Sequence, residues 1–365
     1  MGSESVYQFV ISEEKVIFTK LTKTKEAYGN LRESIRDYNR FFESPSTINN
    51  DITAFTKASH QLFELLNIPN TKRLIIIPDG ILSFVPFQTL LKETTESQQY
   101  SQMPFLIFHS SISYRLSLKD YLKNEDSFQK NQSVLGVFPV FKDTPQELSY
   151  SVLEADAIKK LFTSKMLMHA EANSETFSSE IDNYSILHIS THALGGTFNE
   201  EASILFFDRA LNVEELYGLH FFAELVVLSA CDTGIGKVIK GEGALSLARA
   251  FQYAGAGNVL FSLWQVNDKT TAELMTYYYE NLKKTQSRDF ALHSASLDYL
   301  QNKNIDNSRK SPYYWGAFVY YGTTDLPQES GYLIWYLIGG GILVILILFF
   351  LFKIRRRRFS KNKYS

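Results

Sequence analysis

Four short runs rich in apolar residues constrain the chain most: SVLGVF (133–138), SILHIS (185–190), ELVVLSA (224–230) and NVLFSLW (258–264). Each has the length of a strand, and each is followed or preceded by a segment with helical spacing. SVLEADAIKKLF (151–162) and GALSLARAFQYAG (243–255) read as helices, as do roughly 269–284 and 288–301. Strands apolar on both faces and alternating with helices predict a mainly parallel sheet flanked by helices, an α/β fold. ILFF (204–207) starts a hairpin, and AFVYYG (317–322) closes the series as a last strand. Earlier in the chain, 6–11 and 16–21 read as a β-hairpin, 24–43 and 51–67 as amphipathic helices, and Leu74–Ile77 as a buried strand ended by Pro78-Asp79-Gly80. The polar stretch 92–102 reads as a surface loop. No repeat of 20–50 residues is evident.

Near the end lies a segment of a different kind. Residues 332–352, YLIWYLIGGGILVILILFFLF, are 21 residues without a charge. As a helix they reach ~30 Å, the thickness of a bilayer's hydrocarbon core. Tyr332, Trp335 and Tyr336 stand at one end, as interfacial aromatics do. The tail 353–365 holds seven Lys or Arg and no acid, so the 352 residues before it carry −9 against a total of −2. A single-pass membrane protein is expected, with the basic tail cytoplasmic and the globular part on the other side. MGSESVYQFV is no export signal, so an upstream region carrying one is expected to lie outside this sequence. An acidic globular part is a poor partner for nucleic acid.

Chemistry narrows to a few residues. Cys231 is the sole cysteine, which excludes an intrachain disulfide and a cysteine-based zinc site. It ends VVLSAC, and His192 ends ILHISTHA; each follows an apolar strand at the point where the chain turns polar. In an open parallel sheet, reactive groups gather beyond the carboxyl ends of strands. A thiol and an imidazole emerging from two strands on one edge have the makings of a nucleophile and its base. His188, four residues earlier on the same strand face, reads as structural. The loop DTGIGKVIKGEG after Cys231 is glycine-rich, but a phosphate loop ending at Gly236-Lys237 needs Gly at 231 and Ser or Thr at 238. The chain has Cys231 and Val238. Nucleotide binding is thereby disfavoured.

Several stretches resemble the CHAT family, relatives of caspases and separases. They are LIIIPDGILSFVPFQTL (74–90), SSISYRLSL (110–118), LEADAI (153–158), ILHISTHA (186–193), VVLSACDTG (226–234), GEGALSLARAFQYAGAGNVLFSLWQVND (241–268) and YYWGAFVYYG (313–322). The resemblance covers essentially residues 6–323, in the family's order. It implies a caspase-like α/β fold with a degenerate first part (6–130) and a catalytic part (131–325), ahead of the membrane helix and tail. It also implies a His192–Cys231 dyad, with backbone amides of Ala193 and Cys231 holding an oxyanion. The implied activity is limited endoproteolysis of a protein partner, without a metal or organic cofactor. The rival is a non-catalytic scaffold in a signalling assembly. Tetratricopeptide repeats, frequent upstream in this family, are expected before residue 1 or in a partner. Glu154, Asp232, Trp264 and Asp268 match recurring positions and are the candidate substrate contacts. An acid among them would select a basic residue before the scissile bond. Competing roles are open for each: Glu154 as an exposed helix charge, Asp232 as an orienter of the glycine loop, Trp264 as a core or pocket-wall aromatic, and Asp268 as the cap of a helix beginning at Lys269.

Overall fold

The computed structural model describes residues 5–122, 132–194, 202–229 and 243–325. The expected membrane helix (332–352) and basic tail (353–365) lie outside the described residues, as do Cys231 and Asp232. Among the described residues no helix is long and apolar enough to cross a membrane.

A hairpin of β1 (Tyr7–Ile11) and β2 (Val16–Lys20) opens the chain and pairs Phe9 with Phe18. Helices α1 (Lys25–Arg40), α2 (Pro45–Asn50) and α3 (Ile52–Leu66) follow. Thr24 caps α1 and Asp51 caps α3, each side chain accepting from a backbone N–H three residues on. The two longer helices bury the stripes that the spacing predicts, Leu31, Ile35 and Tyr38 on one and Phe55, Leu62 and Leu66 on the other, with Phe63 of the second stripe only partly buried. Then come β3 (Arg73–Ile76), β4 (Ser111–Tyr114) and the one-turn α4 (Leu118–Tyr121). The polar stretch 92–102 carries one buried anchor, Tyr100, whose hydroxyl donates to Asn49 Oδ1 at 2.9 Å.

The second series runs β5 (Ser133–Phe138), α5 (Ser151–Leu161), β6 (Thr163–Met168), α6 (Ser174–Glu180), β7 (Ile186–Ile189), β8 (Ala193–Leu194), β9 (Ser203–Leu205), β10 (Ala210–Asn212) and α7 (Val213–Tyr217). It ends with β11 (Leu225–Leu228), α8 (Gly243–Ala254), β12 (Val259–Ser262), α9 (Asp268–Thr285), α10 (Arg288–Gln301), α11 (Pro312–Trp315) and β13 (Phe318–Tyr321). Eight strands form one sheet in the order β3-β4-β13-β12-β11-β7-β5-β6. Every adjacent pair is parallel except β12–β13. Strands β8, β9 and β10 make a separate small antiparallel sheet. The α/β fold with a mainly parallel sheet flanked by helices is therefore as the sequence predicts.

The connections decide where a site can form. From β5 the chain steps outward to β6, whereas from β11 it steps the opposite way to β12. Right-handed crossovers then put α5 and α8 on opposite faces of the sheet. Helix α5 packs on β5, β6 and α9, and α9 packs in turn on α10. The inner strands β7, β11, β12 and β13 are buried throughout, which is why they read as unbroken apolar runs. At the foot of β11, Glu224 accepts from the buried Arg288 of α10 at 2.9 Å, and Arg288 also donates to Asp325 at 3.1 Å.

Candidate active site

Strands β5 and β7 are neighbours, yet the chain leaves them in opposite directions, to β6 on one side and towards β11 on the other. Such a switch point leaves a crevice beyond the carboxyl ends of the two strands, where ligands of open α/β sheets bind. His192 lies there, three residues past the end of β7. The loop between β5 and α5 folds over it. A ring nitrogen of His192, Nε2, sits 2.8 Å from the Gln146 carbonyl oxygen, and the Phe141 ring is tilted against the imidazole at 5.6 Å. A carbonyl only accepts, so Nε2 carries the hydrogen, and in the neutral ring Nδ1 is then the acceptor nitrogen. From the other side, the His192 carbonyl accepts the Leu205 N–H at 2.9 Å, and Ala193 pairs with Ile204 in the small sheet.

The covering loop is strained and over-determined. Val140, Phe141 and Asp143 have φ of 60°, 49° and 61°. A β-branched residue in that region is a genuine outlier, and each such residue costs about 1–3 kcal/mol. The loop's own bonds hold it: Phe141 N–H to the Pro139 carbonyl at 2.6 Å, Leu148 N–H to the Val140 carbonyl at 2.8 Å, and Thr144 Oγ1 to the Phe141 carbonyl at 2.6 Å. Val140 and Leu148 are buried beneath it.

Asp268 ties this loop to α9. Its Oδ2 accepts the Tyr150 N–H at 2.7 Å, just before α5 begins. Burial pushes the Asp268 carboxyl up to about 6, with the Glu154 charge adding to the shift and the Tyr150 N–H and His192 opposing it. The cap of α9 is not Asp268 but Asn267, whose side chain accepts the Thr270 N–H at 3.3 Å; the helix begins one residue earlier than the spacing suggests, which frees the aspartate to face the loop. Glu154 is no exposed helix charge either. It is 1% exposed, with one oxygen 2.9 Å from His188 Nε2 and the other accepting from Ser190 Oγ at 3.3 Å. His188, fully buried, meets the Tyr279 hydroxyl at 2.9 Å through Nδ1. Trp264 is a core residue, as one of its two expected roles has it. Its indole donates to the Tyr313 carbonyl at 2.9 Å and packs on Phe42 at 4.5 Å.

The fold thus gathers His192, Ala193, Asp268 and Glu154 around the end of β7 and leaves Trp264 in the core. Reading side chains alone misses Gln146, Phe141, Tyr150 and Tyr279. Two of these act through backbone atoms and carry no side-chain signal, and Tyr279 sits in an unremarkable Tyr277–Tyr279 run of α9.

The CHAT domain model matches residues 53–323. The chain belongs to the CHAT family. Among curated proteins, no relative matches this CHAT chain. Similar solved structures include the Saccharomyces cerevisiae separase–securin complex, at 16% identity and a TM-score of 0.45, covering 74% of this chain and 17% of that one. Another is the Arg-specific cysteine proteinase gingipain R, at 8% identity and a TM-score of 0.46, covering 83% of this chain and 76% of that one. A third is the complex of Porphyromonas gingivalis RgpB pro- and mature domains, at 9% identity and a TM-score of 0.44, covering 83% and 78%. The CHAT chain therefore spans about a sixth of the separase chain that it matches.

Proposed function

We propose that this CHAT protein is a membrane-anchored, caspase-like cysteine endopeptidase that makes limited cuts in a protein partner, with His192 and Cys231 as its dyad. The parallel register of β7 and β11 supports this most directly. Leu228 stands beside Ile189, and the Ser229 N–H donates to the Ile189 carbonyl at 3.1 Å. His192 and Cys231 are each the third residue after that matched pair. Two strands running the same way in register deliver equal offsets to the same edge. Family membership and the Nε2–H···O=C bond of His192 add to it, because that bond leaves Nδ1 to take a thiol proton.

In the proposed reaction, Nδ1 of His192 accepts the Cys231 proton and the thiolate attacks the peptide carbonyl. The oxyanion is held by the backbone amides of Cys231 and Ala193, donors of a kind worth ~100-fold or more each. Collapse breaks the C–N bond, and the imidazolium returns its proton to the leaving amine. Water, deprotonated by the same imidazole, then hydrolyses the thioester and regenerates the thiol. Asp268, facing the cleft with its carboxylate beside the loop, is the acid best situated to favour a basic side chain before the cut, and Asp232 next to the nucleophile is the second. Glu154 has both oxygens engaged by His188 and Ser190 and serves the protein instead. The apolar run 332–352 anchors the chain in a bilayer, with the basic tail cytoplasmic.

An acyloxymethyl-ketone probe tests the reading. Wild type should be labelled covalently, Cys231→Ala not at all, and His192→Ala at a sharply reduced rate. Labelling that persists in Cys231→Ala, or is absent from wild type even with candidate partners present, overturns it. In that case a non-catalytic role for the fold takes over.

A further inference from the structure

We infer that Glu154, His188 and Tyr279 form a buried positioning chain that fixes the tautomer and placement of the His192 imidazole, an inference whose catalytic consequence rests on the proposed role of His192. None of the three is more than 1% exposed. The Glu154 carboxylate accepts, which places the hydrogen of a neutral His188 on Nε2 and leaves Nδ1 to accept from the Tyr279 hydroxyl at 2.9 Å. His188 then carries its hydrogen on Nε2 and donates to Glu154 Oε2 at 2.9 Å, while Ser190 Oγ donates to Oε1 at 3.3 Å. Each hydrogen is thereby assigned in a single direction, from Tyr279 through His188 to Glu154.

The three residues sit on the three elements that converge on His192. Strand β7 carries His188 and leads, one and three residues past its end, to Ser190 and His192 itself. Helix α5 carries Glu154 in its first turn, directly after the loop whose Gln146 carbonyl receives the imidazole N–H. Helix α9 carries Tyr279, and its first residue, Asp268, holds the Tyr150 N–H at the start of α5. The chain touches the imidazole nowhere; it sets the separation of the elements that do. An apolar trio of similar volume would fill this space without desolvating a carboxylate. Hydrogen bonds fix distance and direction as well, and a buried member left without its partner is costly enough to hold the others in register.

The test is Tyr279→Phe in the full chain, which removes one hydroxyl and keeps the ring against Phe162 and His188. Tyr299→Phe is the control, because it deletes another largely buried hydroxyl, donated to the Arg309 carbonyl at 3.1 Å, with no connection to the chain. Imidazole nitrogen shifts in histidine-labelled protein, with His192 assigned through His192→Gln, should report one Nε2–H tautomer in wild type and in Tyr299→Phe. Tyr279→Phe should show a mixture of tautomers and a ketone-probe labelling rate lower by roughly tenfold, the scale of a sub-ångström misplacement. If Tyr279→Phe matches the control in tautomer and labelling, the chain is structural only and the inference fails. If wild type is never labelled, the dyad reading fails while the tautomer measurement still decides this one.

Discussion

Asp268 is expected to weaken the fold at neutral pH. Burial lifts its carboxyl from the ordinary value of 3.8 to about 6. The folded state therefore holds the proton more tightly than the unfolded chain does. Deprotonation costs folding free energy as pH rises from about 4 to about 6, and the cost stays constant above that. A shift of two units is worth at most ~3 kcal/mol at 1.36 kcal/mol per unit. The group lies at the edge of a cleft and is partly solvated, so screening reduces the expected effect to about 1 kcal/mol. Asp268→Asn keeps an oxygen for the Tyr150 N–H and removes the charge. Thermal midpoints measured from pH 4 to 8 should then show wild type losing stability between pH 4 and 6 relative to the variant, and the variant melting higher above pH 7. Probe labelling of the variant should fall at the same time, as expected of a charge kept at a stability cost because it serves the site. Parallel curves for the two proteins from pH 4 to 7, or a variant that melts lower at pH 7.5, would refute the assignment of a raised carboxyl.

Two substitutions away from the site test the backbone account. Gln286 ends α9 at φ 53° with its side-chain oxygen buried and without a partner among the described residues, so Gln286→Gly should stabilise by about 1 kcal/mol, read as a rise of a few degrees in the thermal midpoint. Gly255, at φ 129° between α8 and β12, has no room for a Cβ, which would strike the Phe221 carbonyl; Gly255→Ala should cost at least about 3 kcal/mol in urea unfolding or abolish folded protein altogether.

Burial decided what could be read from the residues. Strands β5, β7, β11, β12 and β13 are covered on both faces, so each shows as an apolar run within a residue or two of its true bounds. The edge strand β6 alternates Thr163, Ser164, Lys165 and Met166 between solvent and core, and that mixed pattern behind a helix hides it. Strand β4, with Ser111 and Ser113 among four residues, is hidden by its brevity. The loop Pro139–Tyr150 is harder still. Its left-handed residues are Val, Phe and Asp, with no glycine to mark them, and its contact with His192 is a main-chain carbonyl. Glu154 reads equally as an exposed charge because the partner that buries it, His188, is 34 residues away in the chain.

The same topology explains why the polar groups accumulate where they do. Between β5 and β7 the crossovers part, the condition for a crevice beyond the carboxyl ends of those strands. A crevice so formed admits both water and substrate, so a charge at its rim keeps part of its solvation. One turn below the rim the sheet is fully covered, and any polar group there must be paired. His192 and Asp268 stand at the first level, and His188, Glu154 and Tyr279 at the second. Because His188 on β7 and His192 beyond its end belong to one short continuous segment, an ordered hydrogen-bond chain around the first is a support for the imidazole of the second.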